Sequence, residues 1–362
     1  MNQSNSNFDE DAPLLAVKDA VVNYRTSDGY LTAVDGISFE IGEDEIFGLV
    51  GESGCGKSTV AQAILGLLPQ NGEVASGSIQ FRGVELNNLD KREMDALRWE
   101  NISLISQGAM NALNPVHRIS SQIIEAIQAH RDTSTAEARE RVAELFTIVG
   151  LDPDRMDDYP HQFSGGMKQR AYIAMSLALD PDLIIADEPT TALDVIVQDQ
   201  ILKRLKELRD QLGISVVIIS HDISVIAETC NRLGVMYSGK LMEYGDLREI
   251  FASPYNPYTL GLQNAFPSLR GKQQDLISIP GSPPSIVDLP SGCRFMQRCP
   301  FASQECATQH PPLESVGDDH FSACYHHERV EQMRQDAKER ETWAQLQDTG
   351  KESAATGGMT HD

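Results

Sequence analysis

Apolar and polar positions follow two rhythms along this chain, and each changes over at a recognisable place. Short β-type runs come first, at Leu15 to Tyr24, Gly36 to Glu40 and Ile46 to Val50. Val50 leads directly into GESGCGKST at Gly51 to Thr59 and then into the helical stretch VAQAILGLL, so the local order is strand, glycine-rich loop, helix. From about Leu86 to Leu179 the spacing turns mostly helical. ELNNLDKREMDALR, SQIIEAIQAH and TAEARERVAELFTIVG each repeat apolar residues every three or four positions, which predicts a helical subdomain over about 86–180. Its last helix is expected to begin after Ser164-Gly165-Gly166 and to stop at Asp180-Pro181, because proline disfavours helix in the residue before it. Alternation then resumes with a buried strand LIIAD at Leu183 to Asp187, a helix at Val195 to Leu212, a strand at Ile214 to Ser220 and a helix after His221-Asp222. That order predicts an α/β domain on a mixed, mostly parallel sheet.

The flanks obey neither rhythm. Residues 1–13 are polar and acidic and read as a flexible arm, with ordered structure from about Leu14. The α/β domain is expected to run over 14–250. Beyond Ile250 the chain becomes Pro-rich and irregular, with NPYT at Asn256 to Thr259 and IPGSPP at Ile279 to Pro284, which predicts a separate small Cys-containing module over 251–330. Residues 331–362 read as a charged, solvated helix, starting near Glu328, followed by a disordered Ser/Thr/Gly tail.

Composition narrows the possible partners. No stretch approaches eighteen uncharged apolar residues, so no membrane span is expected. The N-terminus carries acids where a secretory signal carries bases, which points to the cytoplasm. A formal charge of -23 argues against nucleic acid, whose binding depends on Lys and Arg neutralising phosphates. With 10 Lys against 20 Arg, the acidic surface is similar to that of proteins from high-salt cytoplasm, an ordinary acidic bacterial protein being the alternative.

Three segments carry chemistry. Gly51, Gly54, Gly56, Lys57 and Ser58 fit the phosphate-loop pattern, in which backbone N–H groups curl around phosphates, Lys reaches the β- and γ-phosphates, and Ser ligates Mg²⁺. Ser53 and Cys55 fill the same loop, and Thr59 extends the helix N-terminus where anions are favoured. Asp187 follows a buried strand, at the carboxyl edge where open α/β sheets bind ligands, and is expected to join the Mg²⁺ shell. Glu188 is expected to polarise the attacking water. His221, after the next buried strand, is placed to contact the γ-phosphate. ATP and Mg²⁺ are the ligands implied.

At this point residues 14 to 250 resemble the ABC ATPase family. FSGGMKQR at Phe163 to Arg170 is similar to the family signature, in which Ser164, Gly165 and Gly166 would bind the γ-phosphate of ATP held on a partner subunit; Met167 stands where Gln is usual. Gln107 resembles the residue that joins Mg²⁺ to the membrane subunit, Asp194 of ALD resembles the D-loop acid, and Tyr24 is similar to the aromatic that stacks on adenine. NPYT, IPGSPP and GCRFMQRCP at Gly292 to Pro300 resemble the C-terminal extension of the dipeptide, oligopeptide and nickel importer ATPases. That resemblance implies a heterodimer with a second ATPase subunit, two transmembrane permease subunits, an extracytoplasmic solute-binding protein, and a peripheral place on the cytoplasmic face of the membrane. The rival readings are DNA-repair or iron-sulfur-assembly ATPases. The former carry long coiled coils between loop and signature, which these heptad-free residues lack, and the latter lack the NPYT and IPGSPP segments.

Cys293, Cys299, Cys306 and Cys324 fall within one irregular segment that lacks the apolar periodicity to build its own core. Their loose spacing lacks the tight knuckles of zinc sites and suits a [4Fe-4S] cluster, with zinc as the alternative and His310, His320, His326 or His327 as substitute ligands. Cys55 and Cys230 are expected as small buried fillers.

Overall fold

The computed structural model describes residues 8–9, 11–108, 112–191, 193–265 and 277–344. Most of the expected arm over 1–13 and the expected tail from 345 onward lie outside the described residues. Within the arm, Phe8 meets Phe81 edge-on and the Asp9 amide donates to the Arg82 carbonyl at 2.9 Å.

The first two strands, β1 (Leu15–Thr26) and β2 (Gly29–Ile41), pair antiparallel. A short, wholly buried β3 (Ile46–Val50) runs into the glycine-rich loop and α1 (Lys57–Ile64). Then β4 (Gly72–Phe81) and β5 (Val84–Glu85) return to the first pair, giving a four-stranded antiparallel sheet in the order β2-β1-β4-β5.

The stretch expected to be mostly helical holds α2 (Lys91–Leu97), α3 (Ile119–His130), α4 (Thr135–Ile148) and α5 (Gly165–Ser176), but also β6 (Ile102–Ile105). Four residues are too few for a period to register, and β6 is fixed by pairing parallel to β7 (Leu183–Asp187). Ser134 and Glu137 close a capping box at the start of α4, which explains why that helix was legible.

Next come α6 (Val195–Leu212), β8 (Ser215–Ser220), α7 (Ile223–Thr229), β9 (Arg232–Tyr237) and β10 (Lys240–Asp246). Asp194 caps α6, Gly213 ends it in the left-handed region, and Ile201, Leu202, Leu205 and Leu208 bury one face. Strands β7 and β8 are buried along their whole length, as parallel strands covered on both sides must be, so they read as continuous apolar runs.

After Ile250 the chain was expected to form a separate module; instead it extends the main sheet. Helices α8 (Leu247–Ala252) and α9 (Pro257–Asn264) lead on to β11 (Glu314–Gly317) and β12 (His320–Ser322), and β12 pairs antiparallel with β10. The eight-stranded order is β11-β12-β10-β9-β3-β8-β7-β6, with parallel pairing from β9 through β6. NPYT makes this join. Asn256 accepts from the Tyr258 amide at 2.9 Å to cap α9, and its side-chain amide donates to the Met242 and Ala323 carbonyls at 3.1 and 2.9 Å. The helix expected to be charged and solvated, α10 (Val330–Asp336), buries Val330 and Met333, and Trp343 beyond it is 2% exposed.

Candidate active site

The glycine-rich loop turns between β3 and α1. Gly56 caps the helix at φ 105°, and a Cβ there would lie 2.6 Å from the Ala33 carbonyl oxygen, so both the dihedral and the space require glycine. Lys57 follows and is 6% exposed. Its Nζ donates to the Gly51 and Glu52 carbonyls at 2.7 and 3.1 Å, which holds the ammonium inside the turn. Cys55, buried as expected, lies with its Sγ 3.7 Å from that Nζ; burial pushes its thiol up and Lys57 opposes the shift. Ser53 and Gly54 form the exposed outer part of the loop.

Helix α1 and the strands β1, β6, β7 and β8 deliver the remaining groups. The Ser58 hydroxyl donates to Asp187 Oδ1 at 3.1 Å, across a cavity of about 230 Å³ that Gln62, Ser106 and Gln107 also line. Asp187 ends β7, and burial pushes its carboxyl up, with the Ser58 hydrogen bond opposing and the Glu188 charge adding. Glu188 has φ 51°, a left-handed backbone that a non-glycine residue adopts under strain. That turn brings its carboxylate 2.8 and 2.9 Å from His221 Nδ1 and lets it accept from the Thr191 hydroxyl at 2.8 Å. A carboxylate only accepts, so Nδ1 carries the imidazole proton. Tyr24 reaches the loop as well, its hydroxyl donating to Thr59 Oγ1 at 3.3 Å, while Gly72 leaves room for the ring: a Cβ there would lie 2.8 Å from Tyr24 Cε1.

A second group stands apart from this cavity. Ser164 caps α5, accepting from the Met167 amide at 3.3 Å, with Gly165 and Gly166 as the first helical residues. A Cβ on Gly166 would sit 2.6 Å from Val197 Cγ1, so glycine lets α5 start against α6, whose cap Asp194 accepts from the Val197 amide at 3.0 Å. None of these four lines the cavity at Ser58.

Sequence reasoning missed the groups behind the loop. Arg298, 5% exposed, meets Glu52 of the loop with two hydrogen bonds, Nη1 to Oε2 at 2.6 Å and Nη2 to Oε1 at 2.9 Å. The wholly buried Tyr258 accepts from the Glu52 amide at 3.0 Å. Glu52 occupies a variable position of the loop pattern, and an arginine before a cysteine has no signal of its own.

The four late cysteines and His326 line one cavity, with Cys306 Sγ 3.8 Å from His326 Nε2. Burial pushes the Cys293 thiol up to about 11, Cys324 up to about 12, and Cys299 well above its ordinary value. Among the described residues, however, no three His, Cys, Asp or Glu side chains stand as a preformed ligand set for a metal ion. Of the histidines named as substitutes, His310 and His327 do not line this cavity, and His320 is committed to Glu243 at 2.8 Å. Cys230 is a buried filler after α7, its thiol pushed up by burial.

Comparison with known proteins gives consistent matches. Residues 34–191 match the ABC transporter family, and residues 242–306 match the oligopeptide/dipeptide transporter C-terminal region. The oligopeptide transport ATP-binding protein OppD of Escherichia coli is 45% identical over 315 residues, covering 86% of this chain and 93% of the relative. The dipeptide transport ATP-binding protein DppD of Bacillus subtilis is 42% identical over 315 residues, covering 86% and 94%. Among solved structures, cbiO1 of the cbiONQ ABC transporter complex from Clostridium perfringens superposes with a TM-score of 0.59 at 30% identity, over 66% of this chain and 91% of that one. A dimeric bacterial ABC transporter cassette gives 0.58 at 29%, over 65% and 99%.

Proposed function

The chain belongs to the ABC transporter ATP-binding proteins of oligopeptide and dipeptide transport, and we propose that it hydrolyses ATP between its own phosphate loop and the Ser164 segment of a second, related subunit. It is the ATPase of a peptide importer. The observation that supports the two-subunit reading is that Lys57, Ser58, Asp187, Glu188 and His221 gather around the loop and the ends of β7 and β8, while Ser164, Gly165, Gly166 and Asp194 form the paired starts of α5 and α6, where Gly166 meets Val197.

Each residue then has a role. Loop amides and Lys57 neutralise the β- and γ-phosphates, and Ser164 with the amides of Gly165 and Gly166 covers the γ-phosphate held on the other subunit. Ser58, Asp187 and Gln107 offer the all-oxygen set that suits Mg²⁺, and the upward push on the Asp187 carboxyl marks a buried negative charge that a cation would relieve. When bound, that ion supplies charge neutralisation on the phosphates. Glu188 orients water, and His221, tethered to Glu188 through Nδ1, keeps that carboxylate in place and contacts the γ-phosphate. Tyr24, held to Thr59, places its ring beside the loop for the adenine. Asp194 meets the partner at the interface, and Gln107 passes closure to the membrane subunits.

The complex this reading assembles has a second ATPase, two permease subunits and an extracytoplasmic solute-binding protein, with this chain peripheral on the cytoplasmic face. In support, no helix among the described residues is long and apolar enough to cross a membrane. Glu188→Gln tests the mechanism: ATP still binds, while turnover drops by at least about a hundredfold. Turnover within about threefold of wild type would place the water-orienting group elsewhere.

Two finer readings accompany it. The four cysteines hold a [4Fe-4S] cluster of structural or redox role; in support, they share one cavity in which burial, with neighbouring thiolate charge adding, pushes Cys299 and Cys324 up, so deprotonation needs a compensating cationic centre. Anaerobically purified protein should be brown and release iron with sulfide; colourless, zinc-loaded protein rejects the cluster, and four freely reactive thiols reject any metal. The -23 surface is salt-adapted, so melting temperature should rise as KCl increases from about 0.1 to 2 M across the range where screening becomes strong.

A further inference from the structure

The phosphate loop is braced from behind by the cysteine segment. Arg298 lies between Cys293 and Cys299, in the same short stretch of chain whose thiols line the four-cysteine cavity. Its guanidinium makes four hydrogen bonds: Nε donates to the Pro280 carbonyl at 2.9 Å, Nη1 to the Tyr237 hydroxyl at 3.1 Å, and Nη1 and Nη2 to the two oxygens of Glu52. One side chain thus joins the IPGSPP segment, β9 and the phosphate loop. Glu52 in turn holds Lys57 through its carbonyl at 3.1 Å, and its amide is fixed by Tyr258 at 3.0 Å.

We propose that Arg298 is a positioning residue for the nucleotide site, and that the Arg298–Glu52 pair couples the state of the four-cysteine segment to the phosphate loop. The physical argument is geometric. A bidentate arginine–carboxylate pair fixes orientation as well as distance, and this one has a side chain 6% exposed on the arginine side, where solvent screens little. Glu52 cannot reorient without either leaving the guanidinium or dragging residues 292–300 with it. Glu52 stands at the start of the loop, and the amides of Ser53 to Thr59 that must point at phosphates follow it along the chain, so a shift there displaces the phosphate cradle while leaving its chemical groups intact. Coupling through such a pair is reciprocal: whatever the cysteine segment does to nucleotide affinity, nucleotide does to the cysteine segment.

The proposal rests on the reading of Gly51 to Thr59 as an ATP site, and its test separates the two. Hydrogen exchange is followed by mass spectrometry on the purified full chain, with and without saturating non-hydrolysable ATP analogue, in wild type, Glu52→Gln, Arg298→Lys and Arg298→Met. In wild type, the analogue should slow exchange several-fold both in the loop peptide and in the peptide over 292–300. In Glu52→Gln the loop should still be protected at saturation, but the response at 292–300 should vanish. Nucleotide affinity should weaken about tenfold in Arg298→Met, less in Arg298→Lys, and no further when Glu52→Gln is added to Arg298→Met, because the two changes break one interaction. Arg298→Lys keeps the buried charge and serves if Arg298→Met does not fold. Loop protection in wild type with no response at 292–300 overturns the coupling and leaves the ATP reading intact, as does additive loss in the double variant. Absence of loop protection in wild type overturns the ATP reading itself.

Discussion

Two cavities of this protein are built from similar materials in opposite ways. The one at Ser58 lies between the start of α1 and the ends of β6 and β7, beside the nine-residue loop, and the charged groups around it are half satisfied by backbone carbonyls and by one another. The one at Cys299 gathers four thiols from positions 293 to 324 and walls them with residues from β10 and α9. The first sits at a partly open edge; the second is enclosed, and burial pushes the Cys293, Cys299 and Cys324 thiols up. Chemistry on anions sits where backbone amides and cations are prearranged, and the enclosed cysteine cavity, together with the Asn256 hydrogen bonds and the β10–β12 pairing, fastens the C-terminal segment to the sheet.

Lys57→Ala should open the widest gap between the two regions. Removing the ammonium takes away the only loop cation aimed at the phosphates, so ATP binding should weaken and hydrolysis fall by about a thousandfold. The fold should change little, since Lys57 donates only within the loop, to the Gly51 and Glu52 carbonyls and the Cys55 sulfur. Nucleotide titration beside thermal melting checks it; a large melting loss would mean that the lysine is as structural as the cysteines.

The reverse effect should follow from His320→Ala. Glu243 has 0% exposure, and its carboxylate accepts from His320 Nε2 at 2.8 Å and from the Tyr255 and Asn256 amides at 2.6 and 3.2 Å. Removing the histidine strips one partner from a buried acid where β10 meets β12, which should lower stability by about 3 kcal/mol. Urea unfolding measures it. ATP affinity of the folded variant should stay within about twofold of wild type, because His320 touches neither the loop nor Arg298; a tenfold change would merge the two regions into one functional unit.

The same contrast explains what was legible in the sequence. Strands β3, β7 and β8 are buried on both faces and show as apolar runs, and the phosphate loop, Asp187, Glu188 and His221 follow them directly, so the local order of residues already carries the site. Helices α4 and α6 announced themselves through caps and amphipathic faces. Strand β6 escaped because four residues carry no period, and β9 and β10 because a short antiparallel pair resembles any apolar turn-linked segment. The C-terminal segment misled for a different reason. Its irregular composition suggested independence, yet Asn256, Arg294 and Arg298 each spend their hydrogen bonds on distant parts of the chain: Met242 and Ala323, Ser238 and Asp35, Glu52 and Tyr237. Long-range polar contacts leave no periodic trace.

The smallest expected effect concerns pH and lies on the rim of a third cavity, which Asp35, Lys240 and Arg294 line together with His310. His310 accepts from the Arg294 amide through Nδ1 at 3.4 Å, and its Nε2 is buried without a partner among the described residues. Burial, reinforced by the nearby cations Lys240 and Arg294 and only partly offset by Asp35, holds its pKa down at about 4, below the ordinary 6.5. Protons therefore bind the unfolded residue below about pH 6.5 but the folded one only near 4, so the contribution is fully present above 6.5 and is lost as pH falls from there toward 4. The loss should reach roughly 2 kcal/mol after allowance for partial exposure. Because other groups titrate in this window, the readout is the difference between wild type and His310→Gln in urea midpoints at about pH 7.5, 6 and 5, steps chosen to span the histidine range. Wild type should lose stability faster than the variant, since glutamine takes up no proton. Parallel losses in both would show that His310 charges freely in the folded state, and that the rim beside Arg294 admits water as the outer edge of the phosphate loop does.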